Sequence, residues 1–332
     1  MDDGEHGTVY DVVVVGGGAA GLSAALVLGR ARRRTLVVDA GEPRNAPAAH
    51  LQGYLTRDGM SPAAFLELGR REIAGYGVEW TDGLVTSAAR EPSGTDGAGD
   101  DGDGDGDGVF TLGLADGRRV RARRLIVTTG LADELPGIGG VAARWGRDVL
   151  HCPYCHGWEV RDRAFGVLAH PVLPAHQALM VSQWSDDVTL FLHTAPEPSA
   201  EDAARLAAAG VTVVTGEVAE LTVVDDRLTG VRMADGRLVA REVLFVPTRT
   251  VARDGLLTGL GAELAEGPFG TFVTVDPTGR TSVPGVWAAG NVTGPHEQVV
   301  NAASGGYRAA AAVNGDLIFA DLDAKAAAAK AL

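Results

Sequence analysis

TVYDVVVVGGGAAGLSAALVLGRARRRTLVVDA, residues 8–40, is the stretch that decides the fold of this chain. An apolar strand pattern runs into the glycine turn GGGAAG, then into the helical pattern LSAALVLGRA, and then into a second strand pattern, TLVVDA. Strand, turn, helix and strand within about 30 residues are typical of a βαβ unit, whose strands are parallel and joined by a right-handed crossover. The sequence therefore predicts an α/β fold built on a parallel sheet.

The glycine turn carries the pattern GxGxxG at Gly16, Gly18 and Gly21. In this context the first glycine permits the turn, the second lets a pyrophosphate approach backbone N–H groups at the positive helix end, and the third packs helix on strand. Asp39 closes the second strand, where a carboxylate binds ribose hydroxyls and repels a 2′-phosphate. This segment predicts a site for FAD or NAD rather than NADP.

The composition is that of a globular protein with room for two domains: 332 residues, 45% of them apolar, with a mean hydropathy of +0.07. A net charge of −14 and short arginine clusters predict no surface for nucleic acid or anionic lipid. The N-terminus lacks the pattern of a signal peptide, and no apolar run approaches the roughly 20 residues of a membrane span. We expect a cytoplasmic protein without nucleic-acid or membrane partners.

An internal repeat indicates two related dinucleotide-binding domains of the Rossmann type. Residues 77–130 resemble residues 210–249, and ADGR occurs at 115–118 and again at 234–237. Chain order predicts that the C-terminal segment returns to complete the first domain. We therefore expect a discontinuous first domain, 1–131 and 248–332, and an inserted second domain, 132–247.

Residues 91–108 are a low-complexity Gly/Asp segment. Asp101, Asp103 and Asp105 with Gly106 imitate the start of an EF-hand loop, but Leu112 stands where the twelfth position requires a bidentate Glu. We interpret the segment as a solvated, disordered hairpin loop, and we predict no metal site in the chain.

Both cysteines of the chain lie in HCPYCHGWEV, residues 151–160. The run from Cys152 to His156 matches the CxxCH signature of haem attachment, which normally requires export, and a zinc site with His151 would place four ligands within six residues without a second ligand pair. A CxxC pair at a helix start instead favours a lowered thiol pKa and reversible disulfide formation. We favour a redox pair, with His151 bonded to the backbone.

Several motifs together resemble the low-molecular-weight thioredoxin reductase family: GGGAAG, TTG at 128–130, the CxxC, and VPGVWAAGN followed by QV. The resemblance covers nearly the whole chain. It implies an FAD domain split by an inserted nucleotide domain, a homodimer, and a dithiol with Cys155 against the flavin and Cys152 toward substrate. A small-residue helix opened by Gln298 is placed to direct backbone N–H groups at the pyrimidine edge of a flavin. The FAD contacts that we expect are Gly16, Gly18, Ala19, Ala20, Gly21, Asp39, Ala40, Asn45, Val85, Thr129, Gly130, Gly290, Asn291, Gln298 and Val299.

The chain departs from the reductase pattern in two places. Pro171 and Pro174 stand where the second domain should carry its own glycine loop, and no arginine follows the next strand to accept a 2′-phosphate. The second domain is therefore predicted to be a degenerate NAD(P)H-type domain. His156 replaces the usual acidic residue after the second cysteine, and HCPYCHG with GN at 290–291 resembles the thioredoxin-reductase-like dithiol oxidases of gliotoxin and holomycin biosynthesis.

This second resemblance implies FAD-dependent oxidation of a small-molecule dithiol to an intramolecular disulfide, with O2 as acceptor and H2O2 as product. Cys152 and Cys155 are then the catalytic pair and His156 the candidate base, with His296 as a weaker alternative. Two other interpretations stay open: a disulfide reductase fed by ferredoxin or another flavoprotein, and a non-catalytic flavin-binding redox sensor. The sequence does not indicate which dithiol is the substrate.

Overall fold

The structure is a computed structural model that describes residues 8–91 and 108–330; the aspartates of the EF-hand comparison lie outside these residues. The helices are α1 (Ala19–Arg30), α2 (Pro62–Ala74), α3 (Val141–Arg144), α4 (Pro153–Val160), α5 (His176–Val181), α6 (Ala200–Ala208), α7 (Gly255–Gly259) and α8 (Val299–Lys330), with a 3-10 turn at Gly290–Val292. The strands are β1 (Val9–Val15), β2 (Thr35–Asp39), β3 (Glu79–Asp82), β4 (Val85–Arg90), β5 (Phe110–Leu114), β6 (Arg119–Val127), β7 (Leu131–Glu134), β8 (Val149–Leu150), β9 (Phe165–Leu168), β10 (Val188–Phe191), β11 (Thr212–Val214), β12 (Val218–Val224), β13 (Arg227–Met233), β14 (Leu238–Val239), β15 (Val243–Phe245), β16 (Arg249–Ala252), β17 (Leu264–Gly267), β18 (Gly270–Val273) and β19 (Val286–Ala288).

Two compact units divide the chain. The first comprises the described residues of Met1–Arg44, Ala63–Ala132 and Val251–Leu332, and the second comprises Asn45–Pro62 and Asp133–Thr250. Residues 45–62, which the sequence analysis assigns to the first domain, group with the second unit. The strands β7 and β16, where the chain passes between the units, form a two-stranded sheet.

The first unit is built on a seven-stranded sheet in the order β3-β2-β1-β6-β5-β4, with β19 also pairing with β6. The predicted βαβ unit is confirmed, because β1 and β2 pair in parallel from Val12↔Thr35 to Val15↔Val38. The C-terminal segment contributes β19 to this sheet, which pairs in parallel with β6. The antiparallel pairing of β4 with β5 agrees with a hairpin on either side of the Gly/Asp segment.

Buried apolar strands and small helical residues form the core of this unit. The run Val12–Val15 is at most 4% exposed, as expected for a strand covered on both faces. Helix α1 packs closely against α8, where a Cβ on Gly306 would lie 1.9 Å from the carbonyl oxygen of Ala20. Glycine at 306 therefore sets the distance between the two helices that flank the glycine turn.

The second unit repeats this architecture on a smaller scale. Its five-stranded sheet has the order β11-β10-β9-β15-β8 and is parallel throughout, with the antiparallel strands β12-β13-β14 beside it. Phe165, Phe191 and Phe245 are fully buried in its core. The prediction of two Rossmann-like domains is confirmed.

The two ADGR turns have the same geometry. In the first, Arg118 donates from its backbone N and from Nε to the carboxylate of Asp116 at 3.0 and 2.7 Å. In the second, Arg237 makes the same two bonds to Asp235 at 3.0 and 2.7 Å. The repeat seen in the sequence is thus a repeat of hydrogen bonds as well as of strands.

Within the described residues, no helix has the length and apolar character needed to cross a bilayer.

Candidate active site

The glycine turn between β1 and α1 has the backbone geometry that its sequence requires. Gly16 has φ +107°, and a Cβ there would lie 2.5 Å from the carbonyl oxygen of Thr128, whose hydroxyl donates to the carbonyl of Gly16 at 2.8 Å. A Cβ on Gly21 would lie 1.9 Å from the same Gly16 oxygen. Gly18 is the N-cap of α1 and has no described atom within 4 Å of a Cβ position. Open space therefore lies against the backbone at the positive end of the helix.

Asp39 lies beside this turn, at the end of β2. Its Oδ1 accepts a 2.8 Å hydrogen bond from the backbone N of Gly17, and its Oδ2 lies 3.3 Å from Nη2 of Arg70. A Cβ on Gly17 would lie 2.2 Å from Cη2 of Trp80 and 2.9 Å from Cγ of Asp39. Only glycine fits at position 17, because a larger residue would clash with side chains from β2 and β3. The sequence did not indicate this role.

Arg70 projects from α2 toward Asp39 and the glycine turn. Its guanidinium carbon lies 4.2 Å from the centroid of the Trp80 ring, and the indole in turn donates from Nε1 to Asp82 at 2.8 Å. Among residues 8–91 and 108–330, no atom hydrogen-bonds the buried Nε of Arg70. Leaving such a donor without an acceptor costs about 1–3 kcal/mol. No pattern in the sequence pointed to Arg70 or Trp80, because they join Asp39 only through the fold.

These observations fit an adenine dinucleotide such as FAD. The turn offers open backbone at a helix N-terminus for a pyrophosphate, and Asp39 offers a carboxylate at the position where ribose hydroxyls bind. The buried Arg70 Nε lacks the acceptor that a ligand would supply.

Four more of the expected FAD contacts lie in the first unit at other strand ends. Thr129 follows β6 and donates from its hydroxyl to the carbonyl of Arg253 at 2.7 Å, and Gly130 has φ +72°. Val85 begins β4, and Ala40 is exposed directly after β2. Asn45 belongs to the segment that groups with the second unit, so its expected contact stays a prediction.

The residues near the start of α8 form another part of the first unit. Gly290 has φ +77°, and a Cβ there would lie 3.0 Å from Cβ of Ala20 in α1. Asn291 donates from Nδ2 to two backbone carbonyls of the following loop at 3.0 and 3.2 Å. Gln298 directly precedes α8, which begins at Val299. The fold thus brings Gly290 next to Ala20 of the GGGAAG motif, and the expectation that both motifs bind FAD stays a prediction.

The dithiol lies at the start of α4 in the second unit. Cys152 is the N-cap, Pro153 occupies the first turn, where its missing N–H is not needed, and the backbone N of Cys155 donates to the Cys152 carbonyl at 3.2 Å. Both cysteines are thiols and half-buried. A Cβ on Gly157 would lie 2.9 Å from the ring of Trp184, so glycine lets this helix pack against the indole. The position at a helix N-terminus favours the thiolate form.

Three histidines were candidates for a role in the dithiol chemistry, two of them beside the cysteines and one in the first unit. Burial lowers the pKa of His156, and the nearby carboxylate of Glu159 offsets part of that effect. The neutral form of the His156 imidazole is therefore favoured near pH 7. His151 makes the expected backbone contact, with Nδ1 3.2 Å from the carbonyl of Val246. His296, in the first unit, packs edge-on against Phe269 with ring centroids 5.1 Å apart.

The second unit has a turn equivalent to the glycine turn, and it differs at every key position. The bond from Gly16 N to Val38 O (2.8 Å) corresponds to that from Ala169 N to Phe191 O (2.9 Å), which sets the register of the two turns. Counting from there, Pro171 stands at the position of Gly18, and Pro174 at that of Gly21. Two of the three glycine positions thus carry a ring and no N–H donor.

His170, which stands at the position of Gly17, occupies two backbone donors of this turn. Its Nδ1 accepts hydrogen bonds from the backbone N of Val172 at 3.0 Å and of Leu173 at 3.3 Å. Burial, followed by the charges of His151 and His176, lowers the pKa of His170, so the acceptor form is favoured. The backbone N–H groups that would face a phosphate are bonded within the turn itself.

The ribose position of the second unit is also changed. By the same register, Leu192 stands where Asp39 stands in the first unit, and it is 5% exposed. His193 follows with φ +53°, and its Nδ1 accepts a bond from the backbone N of Val218 at 3.0 Å. Neither a carboxylate for ribose nor a cation for a 2′-phosphate occupies these two positions.

Within residues 8–91 and 108–330, no group of three or more His, Cys, Asp or Glu side chains is arranged to hold a metal ion.

Comparisons with known proteins agree with this architecture. The chain matches the pyridine nucleotide-disulphide oxidoreductase family over residues 10–165 and 184–306. It is 31% identical to a protein named thioredoxin reductase sirT from Leptosphaeria maculans, over 96% of this chain and 97% of that protein. The solved structure of HlmI is 49% identical and covers 99% of both chains with a TM-score of 0.89. An oxidoreductase from Agrobacterium tumefaciens is 38% identical, with a TM-score of 0.84, covering 94% of this chain and 99% of that one.

Proposed function

The chain belongs to the pyridine nucleotide-disulphide oxidoreductase family, and from that premise we propose that it is an FAD-dependent oxidase of small-molecule dithiols. In this proposal a substrate with two thiols is closed to an intramolecular disulfide, O2 accepts the electrons, and H2O2 is the second product. The substrate reacts with Cys152 and Cys155.

The observation that carries the proposal is the turn around His170. Proline at 171 and 174 removes two backbone donors of the turn, and the bonds from Val172 and Leu173 to the imidazole occupy two more. A chain of this family that lacks its pyridine nucleotide site must receive electrons from another donor. The dithiol of a substrate is the donor that a CxxC pair accepts directly.

The exchange at the dithiol follows from the chemistry of the two cysteines. A substrate thiolate attacks Sγ of Cys152 in the oxidised pair, so that a mixed disulfide forms and Cys155 leaves as a thiolate. The second substrate thiolate then attacks the substrate sulfur of that bond, and Cys152 leaves. The substrate has lost two electrons and two protons, and the Cys152–Cys155 pair has gained the two electrons.

His156 accepts a proton in this sequence. It follows Cys155 directly in α4, is half-buried, and has a pKa lowered by burial, so its ring is neutral near pH 7. In the first unit, the glycine turn and Asp39 would hold the FAD. When bound, FAD supplies the two-electron acceptor that reoxidises the cysteine pair and passes the electrons to O2.

A test uses the purified flavoprotein without oxygen. Adding a dithiol such as dithiothreitol should bleach the flavin absorbance, NADPH and NADH at equal concentration should not, and admitting air should produce one H2O2 per disulfide formed. Rapid bleaching by NADPH would sink the proposal.

A second candidate is a disulfide reductase that receives electrons from ferredoxin or another flavoprotein. It is favoured by the name thioredoxin reductase carried by the relative from Leptosphaeria maculans, and the altered turn in the second unit fits it equally well. Reduced ferredoxin supplied to the chain with an oxidised thioredoxin distinguishes the two, since only the reductase would release thiols.

We also propose a homodimer, as the resemblance to thioredoxin reductases implies. Tyr307, Ile318, Phe319 and Leu322 support it, because they leave apolar surface exposed on α8. Light scattering coupled to size exclusion tests the dimer.

A further inference from the structure

We propose that Arg70 and Trp80 form the adenosine end of the cofactor site and set the affinity of the chain for FAD. The inference rests on the proposed function, in that FAD is the cofactor. It adds two residues outside the glycine motif and assigns them to one part of the ligand, the adenosine.

The position of Asp39 decides which part of the ligand is concerned. In a βαβ dinucleotide site the acid at the end of the second strand binds the ribose of the adenosine, next to the pyrophosphate at the glycine turn. Arg70 bonds this acid at 3.3 Å, and Trp80 would meet a Cβ on Gly17 at 2.2 Å. Both side chains therefore belong to the adenosine end rather than to the flavin end.

One hydrogen-bond donor of Arg70, the Nε–H, has no acceptor beside Asp39 in the described part of the chain. Its Nη2 bonds Asp39, while its buried Nε has no acceptor among the described residues. An adenosine carries ring nitrogens and ribose oxygens that accept such a bond. Arg70 also offsets the charge of Asp39, so a neutral ribose meets a paired carboxylate rather than an isolated one.

Trp80 provides an aromatic surface that is held in place from three sides. The guanidinium carbon of Arg70 lies 4.2 Å from the centroid of the Trp80 ring, and Nε1 of Trp80 donates to Asp82. Cη2 of Trp80 lies 2.2 Å from the position that a Cβ on Gly17 would take. A ring fixed in this way loses little freedom when a purine packs against it. The pairing of a fixed indole with a guanidinium is suited to an adenine base.

The test measures binding to the flavin-stripped protein by calorimetry, with FAD, ADP and FMN as ligands. ADP contains the adenosine, whereas FMN lacks it. Arg70→Ala and Trp80→Ala should each weaken FAD and ADP binding about tenfold or more, and FMN binding should not change. Arg70→Lys should recover part of the loss, and Trp80→Phe most of it.

Arg71→Ala is the matched control, because Arg71 is the next residue of α2 and its side chain is 66% exposed. It should bind all three ligands as wild type does. The melting temperature of each flavin-stripped variant separates loss of the fold from loss of a contact. It should stay near the wild-type value in Arg71→Ala and Trp80→Phe, and it should fall in Trp80→Ala, because the Trp80 ring packs against the core.

Unchanged FAD and ADP affinity in both alanine variants would overturn the inference while leaving the proposed function intact, provided that these variants still oxidise dithiols. Equal losses for ADP and FMN would overturn it too, since the two residues would then act on the fold alone. A wild-type chain that binds no FAD at all would remove both the inference and the proposed function.

Discussion

The imidazole Nδ1 of His170 lies 3.0 Å from the backbone N of Val172 and accepts its hydrogen bond. In the first unit the equivalent turn has open space at Gly18, and Gly17 stands at the position of His170. A side chain of the protein thus takes the place that a phosphate holds in a nucleotide-binding turn.

This arrangement predicts that NADPH neither binds nor reduces the protein. Millimolar NADPH should leave the flavin spectrum unchanged for minutes, and should give no heat in calorimetry. His170→Ala releases the two donors but leaves Pro171 and Pro174, so it should not restore binding. NADPH reduction of either protein at a rate comparable to that with a dithiol would contradict the prediction.

Replacing either cysteine separates electron transfer from cofactor binding. Cys152→Ser and Cys155→Ser should each reduce dithiol-dependent H2O2 production at least about a thousandfold, because a serine hydroxyl cannot form the disulfide. Both variants should keep wild-type flavin content after gel filtration, since Gly16, Gly18 and Asp39 are unaltered. Retained turnover in both variants would exclude the dithiol as the reacting pair.

The pH dependence of dithiol oxidation should report on His156. A base acts in its neutral form, and burial lowers the His156 pKa below the ordinary 6.5. The acid limb of kcat/KM should therefore lie below pH 6.5 and should be absent in His156→Gln. Glu159→Gln removes a carboxylate that raises this pKa, so it should move the limb to still lower pH. A limb that stays in place in both variants would belong to another group.

Two substitutions in the glycine turn separate the stability of the apoprotein from the affinity for FAD. Gly16→Ala should destabilise the apoprotein by about 1–3 kcal/mol, because φ is +107° and the new Cβ would meet the Thr128 carbonyl. Gly18→Ala should cost at most about 1 kcal/mol, since its φ is −74° and the Cβ position is open. It should nevertheless weaken FAD binding, because the methyl group would fill the open space at the helix N-terminus where a pyrophosphate would bind. Urea unfolding and FAD titration of both variants provide the comparison.

A buried ion pair should contribute to the stability of the second unit. Arg144 bonds Asp148 through Nε and Nη2 at 2.8 and 2.5 Å, and the same carboxylate accepts a bond from the backbone N of Leu228 at 2.9 Å. Arg144→Ala leaves that buried carboxylate without its charge partner and should cost about 3–5 kcal/mol of unfolding free energy. Arg147→Ala, which removes a half-exposed partner of Asp226, is the control and should cost less than about 1 kcal/mol. Similar losses in the two variants would argue against the burial effect.

The sequence predicted those features that are encoded by residues close together in the chain. The GGGAAG turn, the alternation of strand and helix and the repeated ADGR were enough for two Rossmann-like units, because each depends on local backbone geometry. The prolines at 171 and 174 likewise predicted the altered turn in the second unit.

Features made by distant residues could not be predicted in this way. Arg70 meets Asp39 across 31 residues, and no spacing rule connects a helix surface to a strand end. His170 was visible in the sequence, but the direction of its ring depends on the conformation of the turn that it closes. The grouping of residues 45–62 with the second unit depends on packing, for which the segment carries no motif.

The matching ADGR turns have a consequence for how this chain can be altered. In both units the arginine makes the same two hydrogen bonds to the aspartate two residues before it, at the same distances. The turns after β1 and β9 differ instead, with GGGAAG in one unit and AHPVLP in the other. For protein engineering, the ADGR turn is a connection that can be left unchanged while the turns after β1 and β9 are redesigned.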